Sequence, residues 1–417
     1  MTSARDHVMT GLDDLRPGLE DLYRDLHAHP ELAFEEHRTA AEVAKRAEAA
    51  GYEVTTGVGR TGVVAVLRNG PGPTVLLRAD MDALPVEEQT DLPYSSTVDG
   101  VMHACGHDMH TVCLLGALDL LARGRDRWSG TILGVFQPAE ELATGAEAMV
   151  DDGLYDRFGR PDITLGQHLA PIPAGWLGCH AGPAFAATDT LDVRLHGKGG
   201  HGSRPETTVD PVVLAASTVL RLQTIVSREV AAKDSAVVTV GTIHGGTKDN
   251  IIPDHVDLGV NVRTFDDQVR TKVLAAIERI VHAEAVAAGA PQEPEITRVN
   301  AFPVLVNDEE AMARTKAAFD EAFPMVIDPG PVTGSEDFGH FGAAAGVPTC
   351  YWLFGGEDQE RFVTAYTGGT FERDIPSNHS PKFAPLLQPT LDGGVTALVT
   401  AALAWLGSAQ GGPSLHS

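Results

Sequence analysis

A chain of 417 residues is too long for one ordinary hydrophobic core, so two domains are expected. Its formal net charge of −26 excludes the basic face that nucleic-acid binding needs, and its four cysteines (Cys105, Cys113, Cys179, Cys350) are too few for a disulfide framework. With 43% hydrophobic residues, no apolar run of membrane-spanning length and no signal-like start, the expectation is a soluble, cytoplasmic protein with no membrane partner. An anionic substrate would meet a repulsive field and need a local cation or metal to hold it.

In chain order, residues 12–50 read as helix, broken at His29-Pro30. Strand-like runs follow at 61–67, 73–80, 130–137 and 162–169, with a helical run at 111–123 between the second and third. The strands are continuous apolar stretches, which suggests cover on both faces. The alternation predicts an α/β domain with a mixed, mostly parallel sheet covered by helices. From 186 to 299 the pattern changes to β-α-β-β-α-β, the split, ferredoxin-like unit. Its first helix is expected to bury Val212, Ala216, Val219, Leu220 and Val226. Alternation resumes near 300. The expected organisation is therefore a discontinuous domain of 1–185 and 300–417, with 186–299 inserted into it. The tail GSAQGGPSLHS is expected to be disordered.

Chemistry-bearing residues gather where successive strands end. Asp80 and Asp82 follow VLLRAD, Glu140 and Glu141 follow TILGVFQ, and His168 ends ITLGQH. Ligand sites of open α/β sheets lie outside such carboxyl ends. Beside them stands HACGHDMH (103–110), in which Cys105 and His107 are two apart. In extended backbone they would point the same way, and a thiolate with an imidazole suits zinc, cobalt, nickel or manganese. His103 and His110 are read as supporting the site. In the adjacent pair Glu140-Glu141, one carboxylate can bind metal while the other accepts a proton, the division of labour that metal-assisted hydrolysis uses. His168 and His379 are single histidines in plain segments, and His201 lies in the glycine-rich turn GKGGHGS. Arg263 in the inserted part is a cation of the kind an anionic substrate would want.

These residues belong to a longer set: LHAHPELAFEE (26–36), LLRADMDALPV (76–86), MHACGHDMHT (102–111), FQPAEE (136–141), GQHLAP (166–171), GKGGHGSRP (197–205), DNIIPD (249–254), GSEDFGHF (334–341) and SNHSPKF (377–383). As a set, in this order, they resemble the metal-dependent amidohydrolases that include bacterial aminoacylases, hippurate hydrolases and indoleacetyl-amino-acid hydrolases. The resemblance implies two divalent metal ions per subunit, bridged by Cys105 and held also by His107, Glu141, His168 and His379. It implies Glu140 as general base and later acid, and N-acyl amino acids as substrates. It further implies a homodimer built through the inserted domain. His201, Asn250 and Arg263 would approach the substrate, His201 from the neighbouring subunit. A dipeptidase or aminopeptidase on the same scaffold is the alternative reading. The chain departs from the family's pattern at Glu206, at Asn261 and in a longer stretch between Glu357 and Ser377.

Overall fold

The computed structural model describes residues 3–408. The chain divides into two compact units: Met1–Gly182, Val306–Gly330 and Asp337–Ser417 form the first, and Pro183–Leu305 with Pro331–Glu336 form the second.

The first unit is built on a nine-stranded sheet. Its order is Glu53–Val58, Gly62–Asn69, Trp128–Gln137, Thr74–Asp80, Ile163–Pro173, Thr349–Glu357, Trp176–Gly178 and Met325–Ile327, with Gly407–Ser408 paired to Trp128–Gln137. The middle is parallel: Thr74–Asp80 pairs this way with both neighbours, and so does Ile163–Pro173 with Thr349–Glu357. Helical crossovers impose that direction. The hairpin Glu53–Val58/Gly62–Asn69 is antiparallel because its turn is only three residues long, and Gly62–Asn69 runs antiparallel to Trp128–Gln137 as well. The expected runs at 61–67 and 73–80 are thus both strands, but of opposite sense.

Burial follows composition. In His107–Arg123 nearly every side chain is buried, and Thr390–Trp405 packs against it. A helix that is apolar all round has no face to give to water. Leu12–Ala28 buries one stripe (Leu12, Leu19, Leu22, Tyr23, Leu26) and stops before His29-Pro30. Three details depart from expectation. A short helix, Ala4–Met9, precedes the first expected one, capped by the Ser3 hydroxyl, which accepts from Asp6 N. The helix expected from Thr111 begins four residues earlier. Gly407 and Ser408, expected in a disordered tail, pair with Ser129 and Trp128, and the rest of that tail, 409–417, lies outside the described residues.

The second unit has the four antiparallel strands Ala236–His244, His255–Thr264, Ala187–His196 and Glu295–Phe302, in that sheet order. Helices Pro211–Thr224 and Asp267–Ala288 connect them, each capped by an aspartate, Asp210 or Asp266. His255–Thr264 alternates strictly: Val256, Leu258, Val260 and Val262 are buried with the helices, and the intervening side chains are half-buried on the other face. The stripe expected on the first helix is corrected. Leu214, Ala215, Thr218 and Leu222 are buried, whereas Val212 and Leu220 are 45% and 73% exposed. That helix is apolar on two faces, so periodicity alone could not choose between them. Among the described residues no helix is long and apolar enough to cross a membrane.

Candidate metal centre

Five segments of the first unit converge at the carboxyl edge of its parallel strands. Thr74–Asp80 delivers Asp80 and, just beyond, Asp82. Cys105 and His107 straddle the start of His107–Arg123. Glu140 and Glu141 form a single 3-10 turn after Trp128–Gln137. His168 lies within Ile163–Pro173. His379 comes from a loop, with φ +68° and its backbone N–H on Ala104 O at 2.8 Å.

Two local expectations are corrected here. Cys105 and His107 do not share an extended strand. Gly106 between them is left-handed, with φ +85°, and turns the chain into the helix; a Cβ there would lie 2.7 Å from Leu169 Cδ2. The two side chains meet because of that turn, which glycine makes at least cost. Nor does His168 end its strand, which runs on to Pro173. Pairing with Thr74–Asp80 stops at Gly166, so His168 reaches past the end of its neighbour.

The donor atoms are close. Cys105 Sγ is 3.4 Å from His168 Nε2, and Glu141 Oε1 is 3.1 Å from His379 Nε2. His107 Nε2 lies 3.9 Å from Glu140 Oε2 and 4.0 Å from Glu141 Oε1. Among the described residues five trios have their donor atoms within 4.8 Å of one another: Cys105/His107/His168, Cys105/Glu141/His379, His107/Glu140/Glu141, Asp80/His107/His110 and Glu140/Glu336/Asp337. His107 belongs to three of them, and Cys105, Glu140 and Glu141 to two each.

Backbone carbonyls set the imidazoles. His107 Nδ1 meets Asp82 O at 2.8 Å, and His168 Nδ1 meets Leu169 O at 2.8 Å. A carbonyl only accepts, so each Nδ1 carries a proton, and once the ring is neutral its Nε2 offers a lone pair. His107 Nε2 is buried with no hydrogen-bond partner, an orphan aimed at the cluster. His110 differs. Its Nε2 accepts from Leu169 N at 2.8 Å and its Nδ1 meets Asp80 Oδ1 at 2.6 Å, so both nitrogens are spent on support. His103 is buried, and burial holds it down at about 4. Burial and Glu141 push the Cys105 thiol up, but His168 and His107 outweigh them and hold it at about 6. An orphan imidazole nitrogen, a thiol drawn toward thiolate and a buried carboxylate together fit a divalent transition metal.

The framework around these donors contains groups that the sequence did not single out. Arg78, fully buried, donates to Asp80 Oδ2 at 2.7 Å and to Gln137 Oε1 at 2.7 Å, and Gln137 in turn donates to Asp337 Oδ1 at 2.6 Å. Asn378 donates to Leu169 O at 3.1 Å and to Cys105 O at 3.3 Å. Buried His27 sits between Asp108 (2.7 Å) and Glu88 (3.2 Å). The one available signal was a polar residue in an otherwise apolar strand, as at Arg78.

His201, Asn250 and Arg263 lie in the second unit. His201 pairs with Ile251 in a two-stranded ribbon, and Asn250 O accepts from Gly202 N at 2.9 Å. His201 Nδ1 accepts from Ser203 N at 3.1 Å, which leaves the proton of the neutral ring on Nε2. Arg263 Nη1 donates to Thr333 O at 2.6 Å, with Ser335 Oγ at 3.4 Å. Of the departures from the family's pattern, Glu206 pairs with Arg204, and Asn261 donates to Thr190 Oγ1.

Comparison with known proteins gives the geometry a context. Residues 76–366 match the model of peptidase family M20/M25/M40. The chain is 40% identical over 357 residues to an N-acetyl-L-cysteine deacetylase of Bacillus subtilis, covering 85% of this chain and 84% of that protein. It is 38% identical over 365 residues to thermostable carboxypeptidase 1 of Saccharolobus solfataricus, covering 86% and 88%. Among solved structures, a dinuclear metal-binding M20 peptidase of Bacillus subtilis superposes with a TM-score of 0.76 at 28% identity, covering 94% of this chain and 98% of that one.

Proposed function

The chain belongs to peptidase family M20/M25/M40, and from that membership we propose that it is a metal-dependent amidohydrolase that cleaves N-acyl amino acids into a carboxylic acid and a free amino acid. The observation that carries the reading is the sharing of Cys105 between two donor trios, with Glu140 beside them. Two divalent ions, of zinc, manganese, cobalt or nickel type, would be held by Cys105, His107, Glu141, His168 and His379. When bound, such ions supply the Lewis acidity that polarises an amide carbonyl and lowers the pKa of water.

The chain's own groups do the rest. Glu140 takes the proton from water as it attacks the carbonyl carbon, then delivers it to the nitrogen as the C–N bond breaks. His201, with its proton on Nε2, is suited to donate to the developing oxyanion. Arg263 and Asn250 are suited to hold the substrate's carboxylate against the acidic background of the protein. We assign His201 to the neighbouring subunit's site, in a homodimer joined through the second unit. The exposed Val212, Val213 and Leu220 of its first helix support such an interface. Mixing Glu140→Gln with His201→Ala should then restore activity, since a mixed dimer owns one intact site; two inactive parents that stay inactive when exchanged would sink the cross-subunit assignment.

The carboxypeptidase relative does not compete with this chemistry. A C-terminal peptide bond is itself the amide of an acylated amino acid, so the two readings differ in the acyl group. A dipeptidase or aminopeptidase instead requires a free amine on the substrate. The test is to strip the purified protein with a chelator and assay N-acyl amino acids against free dipeptides, before and after adding each metal. Activity on acylated substrates that vanishes and returns with metal is expected; turnover of free dipeptides alone would replace the reading.

A further inference from the structure

Three successive backbone N–H groups at the glutamate pair all end on buried carboxylates. Glu140 N donates to Asp82 Oδ1 and Glu141 N to Asp82 Oδ2, each at 3.1 Å. Ala139 N donates to Glu36 Oε1 at 2.9 Å. Asp82 follows the strand that leads into the site and also lends its carbonyl to His107. Glu36 comes from the distant LAFEE segment and is wholly buried.

The turn these carboxylates hold is a costly one. Ala139 has φ +48° and Ala143 φ +58°, left-handed values that a side chain disfavours. Gly145 folds back so tightly that a Cβ on it would lie 1.6 Å from Pro138 O. Such a backbone persists only where its surroundings over-determine it. Glu36 is suited to that task. Its Oε1 takes two N–H donors, those of Phe34 and Ala139, both at 2.9 Å, and its Oε2 takes the Thr61 hydroxyl. An acid buried this deeply is expensive unless its acceptors are used, and here both oxygens are. It joins three segments distant in sequence: the turn at Phe34, the 59–61 hairpin turn and the start of the glutamate turn.

We propose that Glu36 is a positioning residue for Glu140: it locks Ala139 in its left-handed conformation and so fixes the direction of the Glu140 carboxylate. The inference rests on the reading of Glu140 as the proton acceptor. A displacement of about 1 Å in such a group can cost about a hundredfold in rate.

The experiment compares Glu36→Leu, Glu36→Gln and Glu140→Gln in the full-length, metal-loaded protein with a turned-over N-acyl amino acid. Amide hydrogen exchange over 139–141 in the metal-free protein supplies a readout independent of activity. Glu36→Leu should lower kcat by about tenfold to a hundredfold with KM and metal content unchanged, and should speed exchange at 139–141. Glu36→Gln keeps one acceptor oxygen for both N–H groups and can turn its amide toward Thr61, so it should recover most of both. If Glu36→Leu does not fold, Glu36→Asp, one methylene too short, should show the same split. Unchanged kcat and exchange in the Leu or Asp variant, beside a disabled Glu140→Gln, would overturn the positioning role. Full activity in Glu140→Gln would overturn the base assignment instead.

Discussion

The donor cluster of the first unit and the set of His201, Asn250 and Arg263 in the second are built on different principles. The rings of His107 and His168 are each set by a backbone carbonyl, Asp82 O and Leu169 O, while the buried chain from Asp337 through Gln137 to Arg78 holds Asp80, which meets His110 Nδ1. His201 and Asn250, by contrast, sit on an exposed two-stranded ribbon, held by backbone pairing and the neighbouring Ser203. Charged and polar groups in a dry interior must be satisfied, so the first region is over-determined, whereas an exposed ribbon can adjust when a ligand arrives. Changes in the first region should therefore abolish chemistry or stability, and changes in the second should be graded and felt mainly in binding.

The largest effect should separate two roles inside the first region. Glu140→Gln should keep its metal and lose about 10²–10⁴-fold in kcat, while Cys105→Ala should lose metal and activity together. Metal analysis beside steady-state kinetics checks both, and a fully metal-loaded Cys105→Ala would remove Cys105 from the donor set.

Next comes the buried framework. Burial alone would lower His27, but Asp108 and Glu88 raise it to about 9. Its folded value thus exceeds the ordinary 6.5, so its contribution to stability is complete below about 6.5 and is lost as pH rises through 9. The contribution is roughly 3 kcal/mol at most. Urea unfolding should show stability declining across that window, and His27→Gln should flatten the decline; an unchanged slope would mean that the ion pairs are not coupled to folding.

Smaller again is Gly106→Ala, which forces a side chain into a left-handed position against Leu169 and should cost about 2–3 kcal/mol. Thermal unfolding of the metal-free protein measures it, and an unshifted midpoint would show that the Gly106 turn can relax. The smallest effect belongs to the second region. Arg263→Ala should raise KM about tenfold to a hundredfold with kcat nearly unchanged, the loss of a charge-assisted hydrogen bond to a carboxylate. A fall in kcat at constant KM would place Arg263 in the chemistry instead of in binding.

Much of this was legible from residue type and order. Continuous apolar runs gave the central strands and the buried helix His107–Arg123, whereas the helix Thr390–Trp405 that packs against it was not singled out. Acidic and imidazole residues at successive strand ends located the cluster. The failures have physical causes. The stripe on Pro211–Thr224 was misassigned because both of its faces are apolar, and only packing against the sheet decides which is buried. Cys105 and His107 were placed on an extended segment because a spacing of two looks alike in a strand and across a left-handed glycine.

What the sequence by itself determined was therefore the kind of chemistry: which donors are present, that they cluster at strand ends, and the family whose motifs they follow. What only the tertiary structure decided was how each donor is held. Glu36, Arg78, Gln137, Asn378 and Asp337 reach their partners across tens to hundreds of residues, and nothing local marks a buried acceptor as belonging to a distant amide. Local preferences act over a few neighbours, whereas the satisfaction of buried polar groups is settled only when the whole chain has closed around them.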